Sequence, residues 1–342
     1  MRAIFFDIDC LRPDHLGCYG YNRPTSPNID TVAKQGVRFD RYYCADSPCL
    51  PSRMNWSSGR FGIRNGVVSN TGVGAKFHIR TRNYQGPIPD NDMLMRQLRK
   101  KPAGVQPVSF SNFADRHNMF WFECGWAEFH TPNLKGGGEN ADEIHEPLMQ
   151  WLKCNAKRED YLLHINYWDA HRLYKMDASW ADRFKDYPVT QPWPDEDAIK
   201  RHQSINGPFT AQAQFKDGKS VVPLMPDSIS SRKDFEHMIT GYDAAIAYVD
   251  HHLGSRRLIR RTRRLLRPRE RRREHPPHPA RHQVARPSCF DGAQHGSGCD
   301  GEGARVRLDA LQRRSQPDPL RALWGRGAGG LGWRLVRAPG AG

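Results

Sequence analysis

The sequence predicts an α/β fold, a mostly parallel sheet covered by helices on both faces. Three observations carry this. Two apolar runs, residues 3–8 and Tyr161–Tyr167, end in acidic residues, as buried parallel strands do where they meet solvent. Strand-like segments alternate with helices that carry start and stop signals. A chain of 342 residues, 38% of them hydrophobic, holds enough apolar material for a sizeable core without a disulfide or metal staple.

Residues 3–8 are the first strand. After a loop, Ser26 caps a helix, Pro27 suits its first turn, Ile29, Val32 and Ala33 form its apolar stripe, and Gly36 stops it. Val37, Phe39 and Arg41 alternate with polar neighbours and predict a second strand leading to Tyr43 and Cys44. Residues 51–58 read as a short helix stopped by Gly59, 93–100 as a helix, and 105–110 as a third strand. Residues 141–152 are an amphipathic helix, with Ile144, Leu148 and Trp151 on one face and acids in its first turn. Tyr161–Tyr167 is the fourth strand. Residues 172–233, polar and punctuated by Pro, read as a surface insertion, and a helix over 234–253 follows. No internal repeat is present.

The positive charge is uneven. The formal net charge is +15, yet residues 255–342 hold 21 Arg, no Lys and seven acids, a net of +14. Residues 1–254 hold 31 basic and 30 acidic residues, the balance of an ordinary globular domain. The chain therefore divides into an α/β domain over 1–254 and an irregular Arg-, Gly- and Pro-rich tail over 255–342. Three readings of the tail compete: a basic arm for nucleic acid, a solvated linker, or an out-of-frame reading of a GC-rich gene. A run of 21 Arg without one Lys favours the last, so the charge does not mark a nucleic-acid protein. No apolar run approaches the ~18 residues of a membrane span. Residues 1–9 are too short and too acidic in their apolar stretch for a secretory signal. Eight scattered cysteines without a CxxC pair fit a reducing compartment, and the expected location is cytoplasmic.

In open α/β sheets ligands sit beyond the carboxyl ends of the strands. Asp9 and Cys10 fall there, then Cys49-Leu50-Pro51-Ser52-Arg53, then Asp115-Arg116-His117, then Asp169 and His171. A carboxylate, a thiol at a helix start, an Arg one turn on and two His converge on one edge, which makes a candidate active site.

Cys49-Leu50-Pro51-Ser52-Arg53, followed by Ser58-Gly59-Arg60, resembles the sulfatase signature. Asp9-Cys10-Leu11-Arg12-Pro13-Asp14-His15-Leu16-Gly17-Cys18-Tyr19-Gly20-Tyr21 is similar to the start of that family, and Tyr167-Trp168-Asp169-Ala170-His171 to a later stretch of it. The matches come in the family's order and cover roughly residues 1–254. The resemblance implies an alkaline-phosphatase-like three-layer α/β sandwich. It implies that Cys49 is oxidised by a formylglycine-generating enzyme to formylglycine, whose hydrate attacks the sulfur of a small-molecule or carbohydrate sulfate ester. It implies a divalent cation, Ca²⁺ or else Mg²⁺ or Mn²⁺, on Asp9 and the diol of residue 49. Arg53 would steady the diol and neutralise nearby anions, and free N–H groups over 49–52 would face the sulfate. His117 resembles the histidine beside the diol, a base for sulfate elimination. His171 resembles the one that contacts the ester, an acid for the leaving oxygen.

The departures from the family also carry expectations. The usual adjacent acids are Asp9-Cys10 here, and Asp115 stands where the family shows Lys. The later metal-binding stretch, Asp with His or Asn and then Gly, has no match after residue 254, so the chain reads as a truncated sulfatase of poor or no activity. Asp250-His251 reads instead as a solvated helix face. A phosphonate monoester or phosphodiester hydrolase of the same superfamily stays open, as does a non-catalytic nucleic-acid-binding protein. Trp168, Trp180 and Trp193 are candidates for a sugar-binding mouth or for local packing.

Overall fold

Two apolar runs some 150 residues apart in sequence pair along their whole length, Arg2 with Tyr161 through Ile8 with Tyr167. The computed structural model describes residues 2–76, 93–204, 222–254 and 331–334. Its strands are β1 (Arg2–Ile8), β2 (Gln106–Phe110), β3 (Glu128–His130), β4 (Tyr161–Tyr167) and β5 (Leu331–Arg334). Its α-helices are α1 (Pro27–Ala33), α2 (Cys49–Ser58), α3 (Gly62–Asn65), α4 (Leu94–Arg99), α5 (Phe113–His117), α6 (Ala141–Asn155), α7 (Glu196–Ser204) and α8 (Arg232–Leu253). The described residues all belong to one compact unit, Met1–Leu266 with Gly325–Gly342, and Arg267–Trp324 lies outside them.

The sheet order is β3-β2-β4-β1-β5, with β3, β2, β4 and β1 parallel. Side chains alternate across it. On one face Ile4, Ile8, Leu163 and Ile165 are buried, and Trp151 of α6 packs on Tyr161 with ring centroids 5.4 Å apart. Each of these aliphatic side chains contributes roughly 1.5–3 kcal/mol by leaving water. On the other face Phe5 and His164 meet Trp56 of α2, at 5.3 and 5.6 Å. Helices therefore cover both faces, and both central strands run as near-continuous apolar segments for that reason.

Several elements differ from expectation. Residues 37–41 form no strand. Val37 and Phe39 are exposed, so their alternation has no sheet to face. The stretch 172–233 is not a surface excursion where it is described. Tyr174, Met176, Phe184, Leu224 and Met225 join the main core, because the faces of α8 need cover. Residues 205–221 lie outside the described residues. Within the tail expected to be irregular, β5 pairs antiparallel with β1 and takes up its open edge. The remainder of 255–342, with any role in nucleic-acid binding, lies outside the described residues.

Ser26 does not cap α1 through its side chain. It donates instead to Asp30 at 3.0 Å. The cap comes from Asp250 of α8, whose carboxylate accepts from Asn28 N at 3.0 Å and Ile29 N at 2.8 Å. Asp250 is thus buried structure and not a solvated face, while His251 is exposed as expected. Helix α8 also fixes the loop after β1. Asp243 accepts from His15 Nδ1 at 2.7 Å, Arg23 Nη1 at 2.9 Å and Tyr21 OH at 2.7 Å. Tyr242 OH donates to the Cys10 carbonyl at 2.6 Å and accepts from Arg12 N at 2.9 Å.

Candidate active site

Strand β1 carries Asp7 towards α2, and Asp9 follows just beyond the strand end. Arg53, one helical turn after Cys49, answers both. Its Nε and Nη2 bond the two Asp7 oxygens at 2.7 and 2.9 Å, and its Nη1 bonds Asp9 Oδ2 at 2.7 Å. All three side chains are buried, and Phe113 lies under the guanidinium at 4.5 Å. Burial opposes the charge on Arg53, but Asp7 and Asp9 more than offset it and raise its pKa. Burial likewise pushes Asp7 up, yet Arg53 and a hydrogen bond from His164 win and hold its carboxyl below the ordinary value. His164 Nε2 lies 3.2 Å from Asp7 Oδ2, and its Nδ1 lies 2.9 Å from Ser109 Oγ. The anions that Arg53 neutralises are the protein's own, Asp7 and Asp9.

Cys49 opens α2 with its side chain buried. Its Sγ lies 3.5 Å from His117 Nε2 and 3.4 Å from the Asn70 amide nitrogen. Burial and then Asp9 push the Cys49 thiol up, so at neutral pH it is not a thiolate nucleophile. The helix start offers fewer free donors than expected. Leu50 N donates to Asn70 Oδ1 at 3.1 Å, Ser52 N donates to Pro48 O at 3.1 Å, and Pro51 has no N–H.

His117 closes α5 beside Cys49. Burial, then Arg116 and Arg53, push it down to about 4, so it is a neutral imidazole at neutral pH. His171 is pushed down by burial and by Arg116, although Asp9 works the other way. Its Nδ1 meets the Arg172 carbonyl and its Nε2 faces Arg116 Nη2 at 3.2 Å. The Nδ1 hydrogen is therefore held by the backbone, and Nε2 presents a lone pair. An acid for the leaving oxygen needs a proton on that nitrogen, which Arg116 occupies in this arrangement.

Arg116 is held by the Gly136 carbonyl at 3.1 Å and lies over Trp168 at 4.9 Å. A Cβ on Gly137, whose φ is +84°, would sit 2.6 Å from Arg116 Nη1, so glycine is what admits the guanidinium. Arg116, Lys135, Trp168, Asp169 and His171 help line a cavity of about 220 Å³. Asp169 is a buried acceptor for Ala141 N at 3.0 Å, capping α6. Trp168 lines the cavity wall, whereas Trp180 packs on Tyr248 of α8 and Trp193 on His202.

The structure thus gathers Asp9, Cys49, Arg53, His117 and His171 at one edge. Sequence reasoning missed Asp7, Asn70 and His164. Asp7 was within reach, since it shares a strand face with Asp9 by i, i+2 spacing. Asn70 follows an irregular loop and carries no periodic signal.

The family model described as Sulfatase matches residues 4–256. Human N-acetylgalactosamine-6-sulfatase is 36% identical over 169 residues, covering 48% of this chain and 32% of the relative. Human arylsulfatase H is 36% identical over 97 residues, 27% of this chain and 17% of the relative. The chain thus matches about a third or less of these relatives' length. Among solved structures, the phosphonate monoester hydrolase of Agrobacterium radiobacter superposes with a TM-score of 0.55 at 18% identity, over 77% of this chain and 59% of that one. A protein bound to its substrate D-glucosamine-2-N,6-O-disulfate superposes at 0.54 and 17% identity, over 77% and 62%. At these identities the likeness is one of fold, the mostly parallel α/β architecture already described. With the model matched across all four parallel strands and the site between them, the chain belongs to the sulfatase family.

Proposed function

We propose that this chain carries the nucleophile-bearing part of a sulfate ester hydrolase, with Cys49 converted to formylglycine by a formylglycine-generating enzyme. The observation that carries this is the setting of Cys49. A buried thiol, a weak hydrogen bonder, stands among strong ones, the Asn70 amide at 3.4 Å and His117 Nε2 at 3.5 Å. Those partners suit hydroxyl oxygens far better than sulfur. The hydrated aldehyde supplies a hydroxyl nucleophile that a protonated thiol cannot. Asn70 would orient that side chain, and neutral His117 would accept its proton. Arg116, at the cavity wall, would meet the ester's sulfate oxygens. Arg53 would keep Asp7 and Asp9 paired beneath the site. The substrate class is a small-molecule or carbohydrate sulfate ester, in keeping with the names of the sulfatases this chain resembles.

The family generally uses a divalent metal, and its hard form takes about six to eight oxygen ligands. The described residues offer one carboxylate, already bonded to Arg53, with a thiol and an imidazole. By themselves they do not fit such an ion, and no step here passes through one. The same reading places the domain boundary near Gly254 and the chain in the cytoplasm.

The test is coexpression with the maturation enzyme, mass spectrometry of the peptide holding residue 49, and assay with an aryl sulfate and an aryl phosphonate. The expected result is an aldehyde at 49 and sulfate turnover that Cys49→Ala abolishes. Faster phosphonate cleavage would move the chain to the phosphonate monoester or phosphodiester alternative. An ordinary thiol with undiminished ester cleavage would overturn the reading.

A further inference from the structure

We infer that Asp9, Cys10 and His171 form a binding site for a borderline, sulfur-tolerant divalent cation, with zinc the best match. The inference goes beyond the ester-hydrolase reading and stands whether or not residue 49 is converted. One ligand atom from each residue lies within 4.8 Å of the other two. Cys10 Sγ is 3.0 Å from Asp9 Oδ1. One thiolate, one imidazole and one carboxylate are the donor types zinc takes in tetrahedral sites with an open position. Hard cations instead select oxygens, and a thiolate moves preference away from them.

The backbone is built to bring these donors together. Cys10 adopts φ +56°, in the left-handed region where a non-glycine residue is uncommon. That turn brings the thiol back beside the Asp9 carboxylate, where an extended strand would send the two side chains to opposite sides. Both neighbours of the turn are pinned. Asp9 N donates to Tyr167 O at 2.9 Å, and the Cys10 carbonyl accepts from Tyr242 OH at 2.6 Å.

His171 is oriented as a ligand. Its Nδ1 hydrogen goes to the Arg172 carbonyl, which fixes the tautomer and leaves the Nε2 lone pair. Arg116 Nη2 now holds that lone pair at 3.2 Å and would have to leave it, keeping its bond to the Gly136 carbonyl through Nη1. Charge also balances. Arg53 bonds both Asp7 and Asp9 and offsets one of their two charges. One carboxylate charge and a Cys10 thiolate are therefore left to offset a dication, with Asp9 Oδ1 outside the Arg53 bond. Binding releases the thiol proton to solvent.

The experiment uses the full chain. Zinc and calcium binding are measured by equilibrium dialysis, and the cobalt-loaded chain is scanned for sulfur-to-cobalt charge-transfer absorption. One zinc should bind, undisturbed by about a 100-fold excess of calcium, and the cobalt band should appear. Cys10→Ser should remove the band and weaken zinc by about 100-fold or more, beyond the range of second-shell changes. Cys49→Ser should leave both intact. Cys10→Asp tests the fold as well as the site, since Asp tolerates the left-handed region. It should keep the melting temperature and turn preference towards calcium or magnesium. A band that survives Cys10→Ser, a band lost in Cys49→Ser, zinc displaced by calcium, or Cys10→Asp still favouring zinc as before would each overturn the site.

Discussion

On one face of β4 the neighbours of Tyr161, Leu163 and Ile165 are apolar, Trp151 of α6 and the core behind it. One residue along the same strand, His164 and Asn166 point the other way, into a chain of polar partners running from Ser109 through His164 and Asp7 to Arg53 and Asp9. Both faces are equally buried. The first needs only shape and volume and holds the sheet together. The second keeps charges from water, which is costly unless every one is paired. A fold that needed only stability would fill both faces with Leu and Ile. The polar face instead ends at Cys49 and the metal-ligand triad, which suggests that its charges hold the site in register.

The largest expected effect breaks the polar face. Arg53→Met leaves Asp7 and Asp9 buried without their cation and should cost about 3–5 kcal/mol in chemical denaturation. Asp7→Asn in the same chain should recover part of that loss, with a coupling of about 0.5–3 kcal/mol between the two sites. The pH dependence follows from the sign of the Asp7 shift. Its carboxyl is held below the ordinary value, so its pairing stabilises above the unfolded pKa near 4 and is lost as pH falls through the folded value. The gap between wild type and Arg53→Met should therefore narrow in acid. A gap constant with pH would show that Arg53 acts through packing alone.

Leu163→Ala tests the apolar face. Leu163 is fully buried, and its loss should cost about 3 kcal/mol through transfer and cavity terms together. Zinc affinity should stay within about twofold, because additivity holds for sites that share no partners. An Arg53-like pH dependence in Leu163→Ala would erase the distinction between the faces.

The apolar face was the legible one. β4 begins and ends where its hydrophobic run does, and α6 and α8 follow their periodicity and acidic first turns. Those signals are local. The family signature placed Cys49, Arg53 and Asp9, but the partner that claims Arg53 most fully, Asp7, lay inside a run read as plain strand. Asn70 and the Asp250 cap on α1 are long-range pairings, fixed only when distant segments meet. Residues 37–41 show the opposite failure, a local alternation that no neighbouring strand answers.

The smallest expected effect lies behind α6, where α8 ends. His252 packs on Tyr248 at 4.7 Å and on His145 at 5.4 Å between ring centroids. Burial, then His145 and His251, push it down to about 4. Its unfolded value is near 6.5, so the unfolded chain binds the proton more readily in between. Stability should accordingly be present above about pH 6.5 and fall as pH drops towards 4. The ring is partly solvated, so screening reduces its share to about 1 kcal/mol. His252→Gln should flatten the melting profile by that amount between pH 4 and 6.5. Zinc binding at fixed pH should not change, since none of its ligands touches this layer. If His252→Gln altered zinc affinity instead, the two layers would be coupled through the sheet, and the division between a stabilising face and a functional face would have to be abandoned.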